Sequence, residues 1–167
     1  MKLPALILAL CAALAIAVAG CGGGSDSSSE STESGSAAEA SNTDTSKKPV
    51  VTVPQGVSPK KFAYKDIVEG SGAAAKSGDK VTVQYVGVGF DTEKEFDSSW
   101  SRNEPFPFTL GGGEVIKGWD QGVEGMKEGG RRELVIPASL AYGPAGSPPK
   151  IGPNETLIFV IDLLKVE

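Results

Sequence analysis

The chain has 167 residues, with 16 Lys+Arg against 21 Asp+Glu, a formal net charge of −5, two cysteines and no histidine. That length fits one domain plus attachments. The absence of histidine excludes Ser-His-Asp and Cys-His nucleophile pairs and His-ligated metals, and two cysteines cannot build a four-cysteine zinc site or iron–sulfur cluster. An acidic chain of pI about 4.9 without a basic block is no candidate for nucleic acid. What remains is binding, or catalysis by environment, with no metal and no cofactor.

Residues 1–20 begin with Lys2, continue in an uncharged Leu/Ala run that contains Cys11, and end in small residues. That is the shape of a secretory signal peptide. Val18-Ala19-Gly20-Cys21 resembles a bacterial lipobox, which implies lipidation of Cys21. An uncleaved membrane anchor is the alternative, at the short edge of a span. Either reading places the rest of the chain outside the cytoplasm, since Lys2 stays inside and the following flank is acidic. Residues 21–56 are then the lipidated cysteine and a flexible tether of Ser, Gly and acidic residues. They contain no aromatic side chain, and such a segment buries too little apolar surface to offset the entropy of ordering. Its reach is roughly 30 Å on the flexible-linker scale.

Residues 57–167 hold every aromatic residue and no cysteine, so packing alone must stabilise them. Residues 62–69 read as a short strand closed by Gly70-Ser71-Gly72. In 80–86, Val81, Val83 and Tyr85 alternate on one face of a half-buried strand. Residues 95–97 and 106–110 read as further short strands, and Pro105 and Pro107 confine the second to an edge or a bulge. After Gly111-Gly112-Gly113, the apolar residues Val115, Trp119, Val123 and Met126 recur at helical spacing. Gly118 and Gly122 keep that helix short. Residues 131–137 form a strand ended by Pro137, a Pro-rich loop covers 138–154, and Leu157, Phe159, Ile161 and Leu163 mark the clearest strand. There is no βαβ alternation. The expected fold is α+β, a five- to six-stranded antiparallel sheet curled around one short helix.

Some motifs fall away. Gly111-Gly112-Gly113 lacks the GK[ST] of a phosphate loop. Glu93, Glu95 and Asp97 read as a solvated strand face rather than a glycosidase carboxylate pair. Asn154-Glu155-Thr156 matches a glycosylation acceptor by chance.

Several separated blocks resemble the FKBP-type peptidyl-prolyl cis–trans isomerases. They include Val83-Gln84-Tyr85-Val86-Gly87, Glu95-Phe96-Asp97-Ser98-Ser99, Gly113-Glu114-Val115-Ile116-Lys117-Gly118-Trp119, Ala141-Tyr142-Gly143 and Thr156-Leu157-Ile158-Phe159. Their order and spacing match over essentially the whole folded part. The resemblance implies a pocket walled by Tyr85, Phe96, Asp97, Phe106, Val115, Ile116, Trp119, Tyr142 and Phe159. It implies Trp119 as the floor under the proline ring, Phe108 behind it, Arg102 paired with Asp97, and Ile151 as an apolar rim contact. Asp97, Tyr142, Ile116, Trp119 and Phe159 are the expected catalytic group, and Tyr85, Phe96, Arg102, Phe106, Val115 and Ile151 the substrate-binding group. Two departures stand out: Ser147, where many relatives carry His, and Lys150, where they carry an apolar residue.

The chemistry suits the composition. Amide resonance opposes rotation by about 18–20 kcal/mol. The twisted amide has less charge separation than the planar one, so an apolar, water-poor pocket favours it. Neither nucleophile nor metal is needed. The expected partners are X–Pro segments of exported proteins, macrolide inhibitors, and the membrane through lipid on Cys21; a monomer is expected. The rivals are a catalytically silent proline-peptide-binding or chaperone module of the same fold, and a solute-capturing lipoprotein. The latter requires a larger two-lobed domain.

Overall fold

A computed structural model describes residues 42–167. The signal segment 1–20, Cys21 and the first part of the expected tether lie outside the described residues. Among the described residues, no helix is long and apolar enough to cross a membrane.

The strands are β1 (Ala63–Val68), β2 (Lys80–Gly89), β3 (Glu95–Ser98), β4 (Phe106–Thr109), β5 (Arg131–Ile136) and β6 (Leu157–Val166). They form one antiparallel sheet in the order β1-β5-β6-β2-β3, with β4 also paired to β2. The long strand β2 shares one edge between two short partners. Residues 80–83 pair with β4, and residues 86–88 pair with β3. Pro107 lies in β4, which has no strand partner on its other side among the described residues, the edge position open to proline.

Alternation in β2 and β6 divides the sheet into two faces. Val81, Val83, Tyr85, Leu157, Phe159, Ile161 and Leu163 belong to the main hydrophobic core. The centre of the opposite face is buried as well: Val86, Ile158, Val160 and Asp162 are 2%, 0%, 0% and 1% exposed. The period-two pattern of β6 is therefore read correctly in position, but both of its faces are covered from Leu157 to Leu163.

The helix α1 (Lys117–Val123) lies on the core face. It is shorter than the apolar spacing, because Val115 precedes it and Met126 follows it, although both still pack with the core. Gly118 and Gly122 are why it lies so close to β5. A Cβ on Gly118 would stand 2.3 Å from Ile136 Cγ2, and one on Gly122 2.5 Å from Leu134 Cδ1. Arg132 then fastens the helix end. It donates to the Gly122 carbonyl at 2.8 Å and grips Asp66 of β1 at 2.6 and 3.0 Å. A cation there also complements the helix C-terminus.

The described part of the expected tether, residues 42–56, makes contacts with the domain. Arg131 donates to the carbonyls of Asn42 and Lys47 at 2.9 and 2.7 Å, and Lys48 pairs with Glu95 at 2.8 Å. Pro49 is buried. A polar composition does not betray this docking, because the contacts are made largely by backbone carbonyls.

Candidate active site

Five elements and two loops converge on a cavity of about 430 Å³. Tyr85 comes from β2, Phe96 and Asp97 from β3, Phe106 from β4, Trp119 from α1 and Phe159 from β6. Glu114, Val115 and Ile116 enter from the turn before α1, and Tyr142 from the loop after β5. Trp119 is 4% exposed and forms the floor. Its ring meets Tyr85 at 5.0 Å and Phe159 at 5.3 Å, both nearly edge-on, and Phe108 at 5.7 Å from behind. Edge-to-face packing of this kind fixes each ring by its neighbours.

Phe96 and Asp97 are adjacent in sequence yet both line the cavity, which a regular strand forbids. The register of β2 and β3 shifts between Gly87 and Val88. Such a bulge re-aims side chains at a site. Gly87 opens the space: a Cβ there would lie 2.7 Å from both Phe96 Cζ and Phe159 Cε1. Without one, the two rings meet edge-to-face at 5.5 Å. Fully buried Ser99 continues the pairing after β3. Its hydroxyl accepts the Tyr85 N–H at 2.8 Å, and its own N–H donates to the Tyr85 carbonyl at 3.1 Å.

The polar rim is a closed triad. The Tyr85 hydroxyl donates to Asp97 Oδ2 at 2.6 Å, Arg102 donates to the Tyr85 hydroxyl at 2.9 Å, and Arg102 pairs with Asp97 Oδ1. The Ser98 N–H adds a bond to Oδ1 at 2.9 Å. Partial burial pushes the Asp97 carboxyl up, but the Tyr85 and Arg102 hydrogen bonds outweigh it and hold the group below its ordinary range. Burial, and then the Asp97 charge, push the Tyr142 phenol up. Tyr142 is 42% exposed, and its hydroxyl makes no hydrogen bond within the described residues.

A neighbouring concavity of about 260 Å³ shares Phe96, Asp97 and Tyr142 and continues along Ser147, Pro148, Pro149, Lys150 and Ile151. Reciprocal backbone bonds between Ser147 and Ile151, at 2.9 and 3.0 Å, fold this loop back on itself. Ile151 therefore lines the second concavity and not the main one. Arg102 lines neither and acts on Asp97 and Tyr85. The remaining expected pocket residues lie together in the main cavity. Sequence reasoning missed Glu114 at its edge and the bond between Tyr85 and Asp97. Neither has a local signal; the bond joins residues on different strands.

Fold and cavity together define an FKBP-like domain. The family FKBP-type peptidyl-prolyl cis-trans isomerase matches residues 71–164. The FK506-binding protein of Streptomyces anulatus is 59% identical over 121 residues, covering 72% of this chain and 98% of its own length. Peptidyl-prolyl cis-trans isomerase FKBP2 of Mus musculus is 52% identical over 93 residues, 56% of this chain and 66% of that protein. The crystal structure of FkpA from Escherichia coli is similar with a TM-score of 0.58 and 47% identity, covering 64% of this chain and 48% of that one. The chain belongs to the FKBP-type peptidyl-prolyl cis–trans isomerase family, and its enzymatic activity is X–Pro isomerisation.

Proposed function

We propose that this isomerase acts on X–Pro segments of exported proteins while held at a membrane by lipid on Cys21, and that it does so by binding the twisted amide in the aromatic cavity. The observation that carries the catalytic part is the cavity itself, aromatic at its base and polar only at its rim. A proline ring seats on Trp119 between Tyr85, Phe106 and Phe159. The peptide carbonyl beside it enters a region where water is scarce. Rotation reduces charge separation in the amide, so exclusion of water favours the twisted form over the planar ones.

The polar groups position the substrate. The Tyr142 hydroxyl, without a hydrogen-bond partner among the described residues, and the Ile116 backbone N–H at the start of α1 hold carbonyls on either side of the rotating bond. Asp97, fixed by Tyr85 and Arg102, faces the amide with an ionised carboxylate. Val115 and Phe96 close the walls. Macrolide binding is supported by the FK506-binding relatives; the cavity volume is in the range of small-molecule sites.

The test is cis-to-trans relaxation of short Leu–Pro–Phe peptides with the full chain, compared with Phe96→Ala and Tyr142→Phe. Acceleration by the wild type is expected. Loss of the Tyr142 hydrogen bond should lower kcat/KM by about two- to tenfold, and Phe96→Ala should lower it further. No acceleration by a folded wild-type chain refutes the catalytic reading. For the anchor, Cys21→Ser should move the protein from the membrane to the soluble fraction and remove the lipid mass from its N-terminal peptide. Retention on the membrane would exclude lipidation of Cys21 as the anchor.

A further inference from the structure

Arg131 is a fully buried arginine on the sheet face opposite α1. In β5, Leu134 and Ile136 face the core with Arg132, so Arg131 points the other way. Its guanidinium pairs with Asp162 of β6, 1% exposed, through Nε and, at 2.9 Å, Nη2. A carboxylate can take only part of the guanidinium's donors. Two more go to the carbonyls of Asn42 and Lys47. A buried charge is costly unless it is paired and hydrogen-bonded, and residues 42–47 supply two of the four acceptor contacts that Arg131 has.

This segment is itself ordered by its side chains. The Asn42 amide bonds both the N–H and the carbonyl of Val50, each at 2.8 Å, and closes the intervening residues into a loop. Inside it, Asp44 accepts from the Ser46 N–H at 3.0 Å and pairs with Lys47 at 2.8 Å. The chain then follows the sheet. Lys48 reaches Glu95 at 2.8 Å and Ser101 at 3.4 Å, Gln55 reaches Glu93 at 3.4 Å, and the Pro59 carbonyl accepts from Thr156 at 3.0 Å. These contacts bracket the outer-face residues Val86, Ile158 and Val160, whose burial requires a cover.

We propose that residues 42–59 are a strap belonging to the catalytic domain, clasped by Arg131, and that Lys48 is a positioning residue for the Asp97–Arg102 pair. Glu95 opens β3, two residues before Asp97. Ser101 is the neighbour of Arg102 in the 3-10 turn Trp100–Arg102. Lys48 thus joins, from outside the cavity, the two short elements that carry Asp97 and Arg102 of the polar rim. An exposed ion pair of this kind does little to fold stability; its effect is on the relative placement of β3 and the turn. The bracing role rests on the isomerase mechanism given above.

The test uses the full chain with Lys48→Ala, Lys48→Arg and Asn42→Ala, read by amide hydrogen exchange and by isomerase kinetics. In the wild type, the Val50 amide should exchange at least about tenfold more slowly than an unstructured amide, and Asn42→Ala should remove that protection. Lys48→Ala should lower kcat by about two- to threefold with KM and melting temperature unchanged, and Lys48→Arg should restore it. Unstructured exchange rates across 42–59 in the wild type overturn the strap. Wild-type kcat in Lys48→Ala, or a loss that Lys48→Arg fails to rescue, overturns the bracing role. An inactive wild-type chain overturns the enzymatic reading and the bracing role together, while the exchange pattern decides the docking separately.

Discussion

On the proposed mechanism, Asp97 sets how the site responds to pH. Its carboxyl lies below the ordinary range because Tyr85 and Arg102 stabilise the charged form more than burial opposes it. Tyr142 titrates above the ordinary phenol range, so it keeps its proton well into alkaline solution. The expected profile of kcat/KM is therefore flat from about pH 5 to pH 9, with loss only below about pH 4. Asp97→Asn should abolish that acid limb; a wild-type rate that already falls between pH 7 and 5 would place the control elsewhere. The same sign holds for stability. A depressed folded-state value means the Asp97 contribution is present above the unfolded value and is lost as pH falls through the folded one. At this scale the sequence was informative about residue type but not about partnership. Asp97 and Arg102 are close in the chain and could be paired on paper. The Tyr85 hydroxyl, 12 residues from Asp97, reaches it only because β2 and β3 are neighbours.

At the scale of elements, glycine placement governs how closely the helix and the cavity walls approach the sheet. Gly122→Ala gains about 1 kcal/mol of helix propensity. It also drives a Cβ to 2.5 Å from Leu134 Cδ1, and overpacking of that kind costs typically 1–3 kcal/mol. Net destabilisation is expected on chemical denaturation, against the propensity; a more stable variant would show that α1 can shift without cost. Gly87→Ala acts on the cavity. Its Cβ displaces the rings of Phe96 and Phe159, so isomerase activity should fall more than stability, with kcat/KM and the denaturation midpoint measured on one preparation. The strands were legible because alternation in β2 and β6 reports a buried face, and Gly78-Asp79 before β2 and Pro153 before β6 mark turns. The shortness of the helix was legible from Gly118 and Gly122, but its ends were not, because Val115 and Met126 keep the apolar spacing while lying outside the hydrogen-bonded turns of α1. Burial of the second sheet face was equally hidden, since a buried Val86 or Ile158 reads in sequence like any aliphatic strand residue.

Across the whole molecule, the acidic net charge opposes the approach of acidic peptides, yet the mouth of the second concavity carries Lys150. Screening decides between them. Charges beyond about 8 Å are largely masked at physiological ionic strength, and Asp97, which lines the same concavity, is paired with Arg102, so a residue docked beside the proline senses Lys150 more than the carboxylates. Peptides with an acidic residue next to the X–Pro pair should be preferred over their neutral counterparts at low salt. The preference should shrink at high salt and disappear in Lys150→Ile. Equal selectivity in the variant would remove Lys150 from substrate choice.

The sequence by itself determined the fold class, the positions of the strands and the membership of the aromatic cavity, because each rests on local periodicity or on blocks whose order survives in the chain. The tertiary structure decided which polar groups meet. It closed the Tyr85–Asp97–Arg102 triad, moved Ile151 to the adjoining concavity, and laid residues 42–56 on the domain through Arg131 and Asp162. The physical reason is common to all three. Hydrogen bonds and ion pairs between separate strands and loops depend on register and approach, and composition carries no record of either.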